Sequence, residues 1–279
     1  MFNDGTLIEL MPDKHDLESV RINFGRAAGD YVSSPIHAKG RSLTRLVEIV
    51  EFGDSWKALD IATGAGHTAL AIAPYVDEII ATDITFQMVS AARKLGEGRG
   101  VTIIHAAAAA ADQQPFAESQ FDLVTCRIAA HHFPSIGSFI AESRRLLRPG
   151  GILAVVDNIS PADSRDIRKS KRDRDPSRYI NALEKYRDKS HWRMLSEIEW
   201  VEEFYQAGFR TLRREKLEKT LDYESWRKRM NVTGADELRL RSMLMQAPET
   251  VHHYLKPRLE NGRLIFNLTE LIIVGVWEP

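Results

Sequence analysis

Two glycines, Gly64 and Gly66, follow a short apolar run, Lys57-Ala-Leu-Asp-Ile-Ala, that carries the acid Asp60. Glycines there let the backbone turn tightly and approach a ligand with no Cβ in the way. The helix that should follow offers unpaired N–H groups at its start. The string Gly64-Ala-Gly66-His-Thr-Ala69 also fits the G-x-G-x-x-G/A fingerprint of nucleotide-type cofactors. Asp60 discriminates among those cofactors: its carboxylate repels a pyrophosphate but suits an ammonium group or a bridging water. Asp83, which ends the next apolar run, lies 17 residues after Gly66. A carboxylate so placed can accept both hydroxyls of a ribose.

A second set of residues could move protons. His131 and His132 follow the fourth apolar run, and Asp157 and Asn158 follow the fifth. Open α/β sheets bind ligands at that edge. His191, in Lys189-Ser-His-Trp, precedes a capped helix and is a further candidate. We take His131, His132, His191 and Asp157 as the catalytic candidates, any one histidine being able instead to bond a backbone carbonyl. Tyr31 and His37 belong to a segment that could close over a ligand. Cys126, the single cysteine, reads as a small buried strand residue. There is no Cys/His grouping with metal-ligand spacing, so no metal is expected.

These residues need elements to hold them. Runs at Lys57–Ala62, Glu78–Asp83, Val101–His105, Phe121–Cys126 and Ile152–Asp157 read as strands, with helical spacing between them at Met88–Lys94 and Phe139–Leu147. Alternation of this kind implies parallel pairing and right-handed crossovers. The fold expected is α/β, a doubly wound Rossmann-like sheet of seven strands, mostly parallel with the last antiparallel. An N-terminal helical cover spans residues 1–50, its helix running through Leu43, Leu46, Val47 and Val50. The cofactor-binding domain spans 51–279, with helical insertions at 158–208 and 222–257. Residues 163–189 hold ten Lys/Arg against six Asp/Glu and read as a solvated helix, or else as a flexible cover or an anion-landing patch. Ser196-Glu-Ile-Glu199 has the capping-box form, with Leu195, Ile198, Val201 and Tyr205 as a helical stripe. Residues 209–221 form a strand on this reading. Arg263–Asn267 and Leu268–Trp277 form a hairpin turning near Asn267.

The ordered series Leu59-Asp-Ile-Ala-Thr-Gly-Ala-Gly-His-Thr-Ala-Leu, Ala81-Thr-Asp-Ile-Thr-Phe-Gln-Met, Gln114-Pro-Phe-Ala-Glu-Ser-Gln-Phe-Asp-Leu-Val, Arg127-Ile-Ala-Ala-His-His-Phe and Leu147-Arg-Pro-Gly-Gly-Ile-Leu resembles the motifs of class I S-adenosylmethionine-dependent methyltransferases. It is most similar to the branch of the ubiquinone- and menaquinone-biosynthesis C-methyltransferases. Residues 20–160 carry the likeness. The resemblance implies S-adenosylmethionine as cofactor, S-adenosylhomocysteine as product and a small-molecule acceptor. Asp60, Ala62, Gly64 and Gly66 would surround its methionine part, with Arg127 beside them and Tyr31 from the N-terminal segment. Asp83 would hold the ribose, Ile84 and Met88 the adenine face, and Ala111 and Asp112 the adenine edge. The chain departs from the family in two places. Ala62 replaces the usual first glycine, which is tolerable at negative φ. Ala109-Ala110 replaces a usual Gly-Asp, leaving Asp112 to meet the adenine amino group.

Composition sets the outer limits. A chain of 279 residues, 43% hydrophobic and 28% charged with a net charge of −1, is ordinary for a globular protein and demands neither nucleic acid nor an anionic membrane as partner. The acid-bearing start lacks a secretory pattern, no apolar run reaches the roughly 20 residues of a bilayer span, and a lone cysteine suits a reducing cytosol. A cytoplasmic protein is expected. Three other readings stay open: an NAD(P)-dependent oxidoreductase, an RNA methyltransferase using the basic stretches at 165–178 and 210–219, and a methyltransferase fold that does not methylate.

Overall fold

A computed structural model describes residues 40–100, 104–105, 109–161 and 171–278; Tyr31, His37 and most of the expected N-terminal cover lie outside them. Strands β1 (Lys57–Ile61), β2 (Glu78–Thr82), β3 (Ile104–His105), β4 (Phe121–Arg127) and β5 (Leu147–Asn158) pair in parallel. Strand β6 (Phe209–Asp222) and strand β8 (Arg263–Trp277) complete the order β3-β2-β1-β4-β5-β8-β6, β8 running antiparallel to both neighbours. A short strand, β7 (Arg258–Glu260), pairs only with β8. The expected doubly wound, mostly parallel sheet is therefore present, with this small eighth strand added.

The C-terminal hairpin differs from expectation. Its turn is Asn261-Gly262, both at positive φ (51° and 75°), and not the neighbourhood of Asn267. Asn-Gly supplies the φ > 0 pair that a two-residue hairpin loop requires. Asn267 instead stays within a continuous strand opposite Thr220, whose hydroxyl donates to its Oδ1.

Helices cover both sheet faces. Helix α1 (Arg41–Ile49) buries Leu46 and Ile49 beside α2 (His67–Ile72), against Ala58, Ala81, Val156 and Val274. Helix α3 (Phe86–Glu97) follows β2, with Thr85 as its cap. On the opposite face α4 (Ile136–Leu146) and α6 (Glu197–Gln206) place Phe139, Ile140, Trp200 and Phe204 against Leu59, Val124 and Ile273. The capping box is formed, Ser196 accepting from Glu199 N and Glu199 from Ser196 N. The stripe is not the expected one: Ile198 (59%) and Tyr205 (79%) are exposed, while Trp200 and Phe204 are buried. The helix has rolled toward Trp200 and Phe204, the two aromatic side chains that return the most apolar area on burial.

Beyond the end of β5, strands β6 and β8 continue as an extension that β7 joins at its far end. Helices α5 (Lys171–Arg187), α7 (Tyr223–Lys228), α8 (Gly234–Met245) and α9 (Glu249–Leu255) pack on it around Tyr223, Trp226, Leu244 and Phe266. Helix α5 is thus not a solvated helix: Ile180, Leu183 and Glu184 are buried, because that stripe faces the extension.

Candidate active site

The turn after β1 is built first. Thr63 N donates to Thr82 O (2.9 Å), which ties the loop to β2, and Gly66 N returns to Thr63 O (3.0 Å). Gly66 has φ 86°, and a Cβ there would stand 2.8 Å from Ala92 Cβ on α3. It is therefore a packing glycine between loop and helix. Ala62 has φ 54°, so the negative φ that would have made alanine harmless is not adopted.

A cavity of about 140 Å³ opens above this turn. Ala62, Gly64, Asp83, Ile84, Met88, Ala111, Asp112 and Arg127 all line it. Asp83 is buried, its Oδ2 accepting from Gly64 N (3.0 Å) and its Oδ1 from Thr85 N and Oγ1 (both 2.9 Å). Burial pushes this carboxyl above its ordinary value against those hydrogen bonds. An acceptor held rigidly at a cavity wall suits a ligand that offers hydroxyl donors. Arg127 donates Nε to Thr68 Oγ1 (2.9 Å).

Asp60 and Gly66 do not line the cavity. Asp60 is buried between two threonines, accepting from Thr63 Oγ1 (2.6 Å) and Thr125 Oγ1 (2.7 Å). Burial raises it to about 6. It braces β1, β4 and the turn. Residues that the motif reading did not single out also line the cavity: Thr63, Thr68, Ile128, Ala129 and the run Phe133–Ser135. Ile128 is strained, a β-branched residue at φ 53°, pinned by its N–H to Val156 O (2.7 Å). Ile128 lies within Arg127-Ile-Ala-Ala-His-His-Phe, but nothing in that string announces the positive φ.

The three candidate histidines are brought together. His131 and His132 rings lie 4.2 Å apart and His131 and His191 rings 5.6 Å apart. Trp192 N and Arg193 N both donate to His131 O (2.8 and 3.0 Å), which draws the loop carrying His191 to the loop after β4. Asp157 grips His131 twice: its Oδ2 accepts from the backbone N and its Oδ1 pairs with Nδ1, each at 2.6 Å. The carboxylate fixes a proton on Nδ1 and leaves Nε2 as the basic nitrogen. Burial pulls the His131 imidazolium down, but the Asp157 charge and hydrogen bond outweigh it and hold the ring above the usual histidine value. His132 bonds Ser190 O through Nδ1 (3.0 Å), and burial with the neighbouring His131 charge pushes it down to about 4. His191 Nε2 meets Asn181 Oδ1 (2.9 Å); burial and the charges of His131 and His132 hold it well below the usual value.

A second, smaller chamber of about 60 Å³ adjoins the first, and Ile128 and His132 line both. His131 and His191 line only the second. Cys126 is buried in the sheet core, where burial and nearby carboxylates push its thiol up, so it takes no part. Among the described residues no group of three or more His, Cys, Asp or Glu could hold a metal ion, and no helix is long and apolar enough to cross a membrane.

A doubly wound sheet with a ligand cavity over its first strand-to-helix turn defines a Rossmann-like protein, and its relatives narrow the class. Residues 59–155 match a methyltransferase-domain family. The chain is 31% identical over 259 residues to the uncharacterized methyltransferase YcgJ of Bacillus subtilis, covering 91% of this chain and 97% of that protein. The crystal structure of YcgJ aligns with a TM-score of 0.77 at 30% identity, over 85% of this chain and 98% of that one. A demethylmenaquinone methyltransferase of Deinococcus radiodurans is 33% identical over 109 residues, 38% of this chain and 44% of that protein. The chain belongs to the class I S-adenosylmethionine-dependent methyltransferases.

Proposed function

We propose that this methyltransferase binds S-adenosylmethionine in the larger cavity and methylates a small molecule held in the smaller one. The observation that carries this reading is the shared wall. Ile128 and His132 line both chambers, so a donor on one side and an acceptor on the other can be held in register. Positioning of this kind can supply roughly 7–11 kcal/mol of a two-reactant barrier.

When bound, S-adenosylmethionine supplies an electrophilic methyl carbon: the acceptor's lone pair forms the new bond as the carbon–sulfur bond breaks, its electron pair staying on sulfur. Asp83 holds the ribose hydroxyls on this reading. Ile84 and Met88 pack on the base, with Ala111 and Asp112 at its edge. Ala62 and Gly64 face the amino-acid part beside Arg127, while Asp60 and Gly66 shape the loop from behind. His131 takes the proton that a hydroxyl, amine or acidic carbon releases, at Nε2. Asp157 is its positioning residue, and His132 and His191 close the chamber around it.

Isothermal titration calorimetry with S-adenosylhomocysteine, with NADH as control, tests the reading. We expect micromolar binding of the nucleoside, none of NADH, and at least a tenfold loss in Asp83→Ala, since hydrogen bonds to a charged acceptor are each worth about 1.5–3 kcal/mol. NADH preference, or no nucleoside binding by protein shown free of retained nucleoside, would overturn it. The control matters because Asp60, buried behind the loop, does not itself repel a pyrophosphate.

A further inference from the structure

The smaller chamber is rich in acceptors that the protein leaves unmatched. Asn158 Oδ1, Glu184 Oε1 and Asp188 Oδ2 are buried there with no hydrogen-bond partner. Both acids are nine-tenths or more buried. An unsatisfied buried polar group costs about 1–3 kcal/mol, and more when charged. Three of them around one small space suit a ligand that brings donors.

The cations nearby leave these oxygens unbonded, and one buried donor, Arg187 Nε, is itself without a hydrogen bond. Arg187 Nε stands 3.2 Å from Glu184 Oε2, too poorly aligned for a hydrogen bond, and its Nη2 lies 3.8 Å from Asp188 Oδ2. Its guanidinium lies over the Trp226 ring at 4.8 Å. Lys219 Nζ is bound to Glu270 at 2.6 Å, and Arg229 has partners of its own. Two histidines add acceptor ends. His131 gives its Nδ1 proton to Asp157. His191 gives its Nε2 proton to Asn181 Oδ1, an oxygen identified by its acceptance of Met194 N–H (2.6 Å). His131 Nε2 and His191 Nδ1 are thus acceptors. The remaining wall, with Leu221, Met230 and Leu268, is apolar.

We propose that this chamber selects a small acceptor carrying a protonated amine, which Glu184 and Asp188 hold by charge-assisted hydrogen bonds while its apolar stem lies against Leu221, Met230 and Leu268. The proposal rests on the methyl-transfer reading only in taking this chamber as the acceptor side. A primary ammonium brings three donors on one atom, matching the three unpartnered oxygens. A carboxylate ligand would add negative charge beside two buried acids. At about 60 Å³ against about 140 Å³, the chamber admits less than half of what the cofactor cavity does, so only a small molecule or a headgroup enters.

Three ligands of nearly equal shape test it: tyramine, 4-ethylphenol and 4-hydroxyphenylacetate, titrated calorimetrically into the whole protein with saturating S-adenosylhomocysteine. We expect tyramine to bind about tenfold or more tightly than either analogue. Glu184→Gln and Asp188→Asn should each cut that advantage severalfold with S-adenosylhomocysteine affinity retained. Equal binding of the three, preference for the carboxylate, or no binding of any would overturn the proposal. The wild-type comparison decides alone if the variants do not fold. If S-adenosylhomocysteine itself fails to bind, the functional reading falls, and the same three titrations without it still decide the selectivity of the chamber.

Discussion

Ala62 sits in the left-handed region at φ 54°, where a Cβ costs roughly 1–2 kcal/mol. Glycine relieves that cost but loses about 0.5–1 kcal/mol more conformational entropy on folding. Ala62→Gly should therefore stabilise the protein by roughly 0.5–1 kcal/mol net, read as a higher urea midpoint with an unchanged slope. His131 is the other residue whose setting is decisive. It must be deprotonated to accept a proton, and its folded value lies above 6.5. The rate at low substrate should therefore rise with pH through a midpoint above 6.5. Asp157→Asn removes the charge that holds the value up, so the midpoint should move acid. His131→Gln should lower kcat about 10²–10⁴-fold with S-adenosylhomocysteine affinity retained. A His131→Gln enzyme of normal kcat would assign the proton to another group.

Among the elements, α6 shows how local rules and packing divide the work. The capping box is local, needing only Ser196 and Glu199 three residues apart, and it is formed as the spacing predicts. Ser196→Ala should cost about 1 kcal/mol in chemical denaturation, since it orphans an N–H at the helix start. Which face the helix buries is not local. Ile198 and Val201 fit a stripe as well as Trp200 and Phe204 do, and the surface beneath decides between them. Helix α5 makes the same point with charge. Ile180, Leu183, Glu184, Arg187 and Asp188 fall at helical spacing on one face. The charged members make that face look solvated, although it closes a chamber. Two acids and an arginine sharing a stripe with Ile180 and Leu183 were the available signal.

At the scale of the whole molecule, two buried groups titrate in one pH window with opposite signs. Asp60 is raised from 3.8 to about 6, so its ionisation in the folded state costs roughly 3 kcal/mol. That penalty is absent below pH 3.8 and complete above 6. His132 is lowered from 6.5 to about 4, so the unfolded chain takes its proton first. Stability is lost as pH falls from 6.5 toward 4, by at most about 3 kcal/mol. Between pH 4 and 6 the two contributions oppose each other. Asp60→Asn should therefore gain stability relative to the wild type as pH rises through that range. His132→Asn should gain relative to the wild type as pH falls. Thermal melts of the three proteins at pH 4.5, 5.5 and 7 check both signs; parallel profiles would remove the assignments.

The turn after β1 and the acid at the end of β2 were legible because those parts are local in sequence. A strand, a Gly-x-Gly turn and a helix start are contiguous, and the acid at the end of β2 is set by strand length. The doubly wound, mostly parallel sheet was legible for the same reason, since alternating strands and helices leave few right-handed solutions. Other features depend on atoms far apart along the chain. Asp60 lies behind the loop because Thr125, 65 residues away, meets it. The His131, His132 and His191 group exists because Trp192 and Arg193 donate to His131 O. The smaller chamber needs α5 laid over an extension of β6 and β8. Spacing carries the period of an element, and so the sequence by itself determined the scaffold and its Gly-x-Gly turn. Which long-range partners desolvate a given carboxylate or imidazole is a property of packing, and only the tertiary structure decided that.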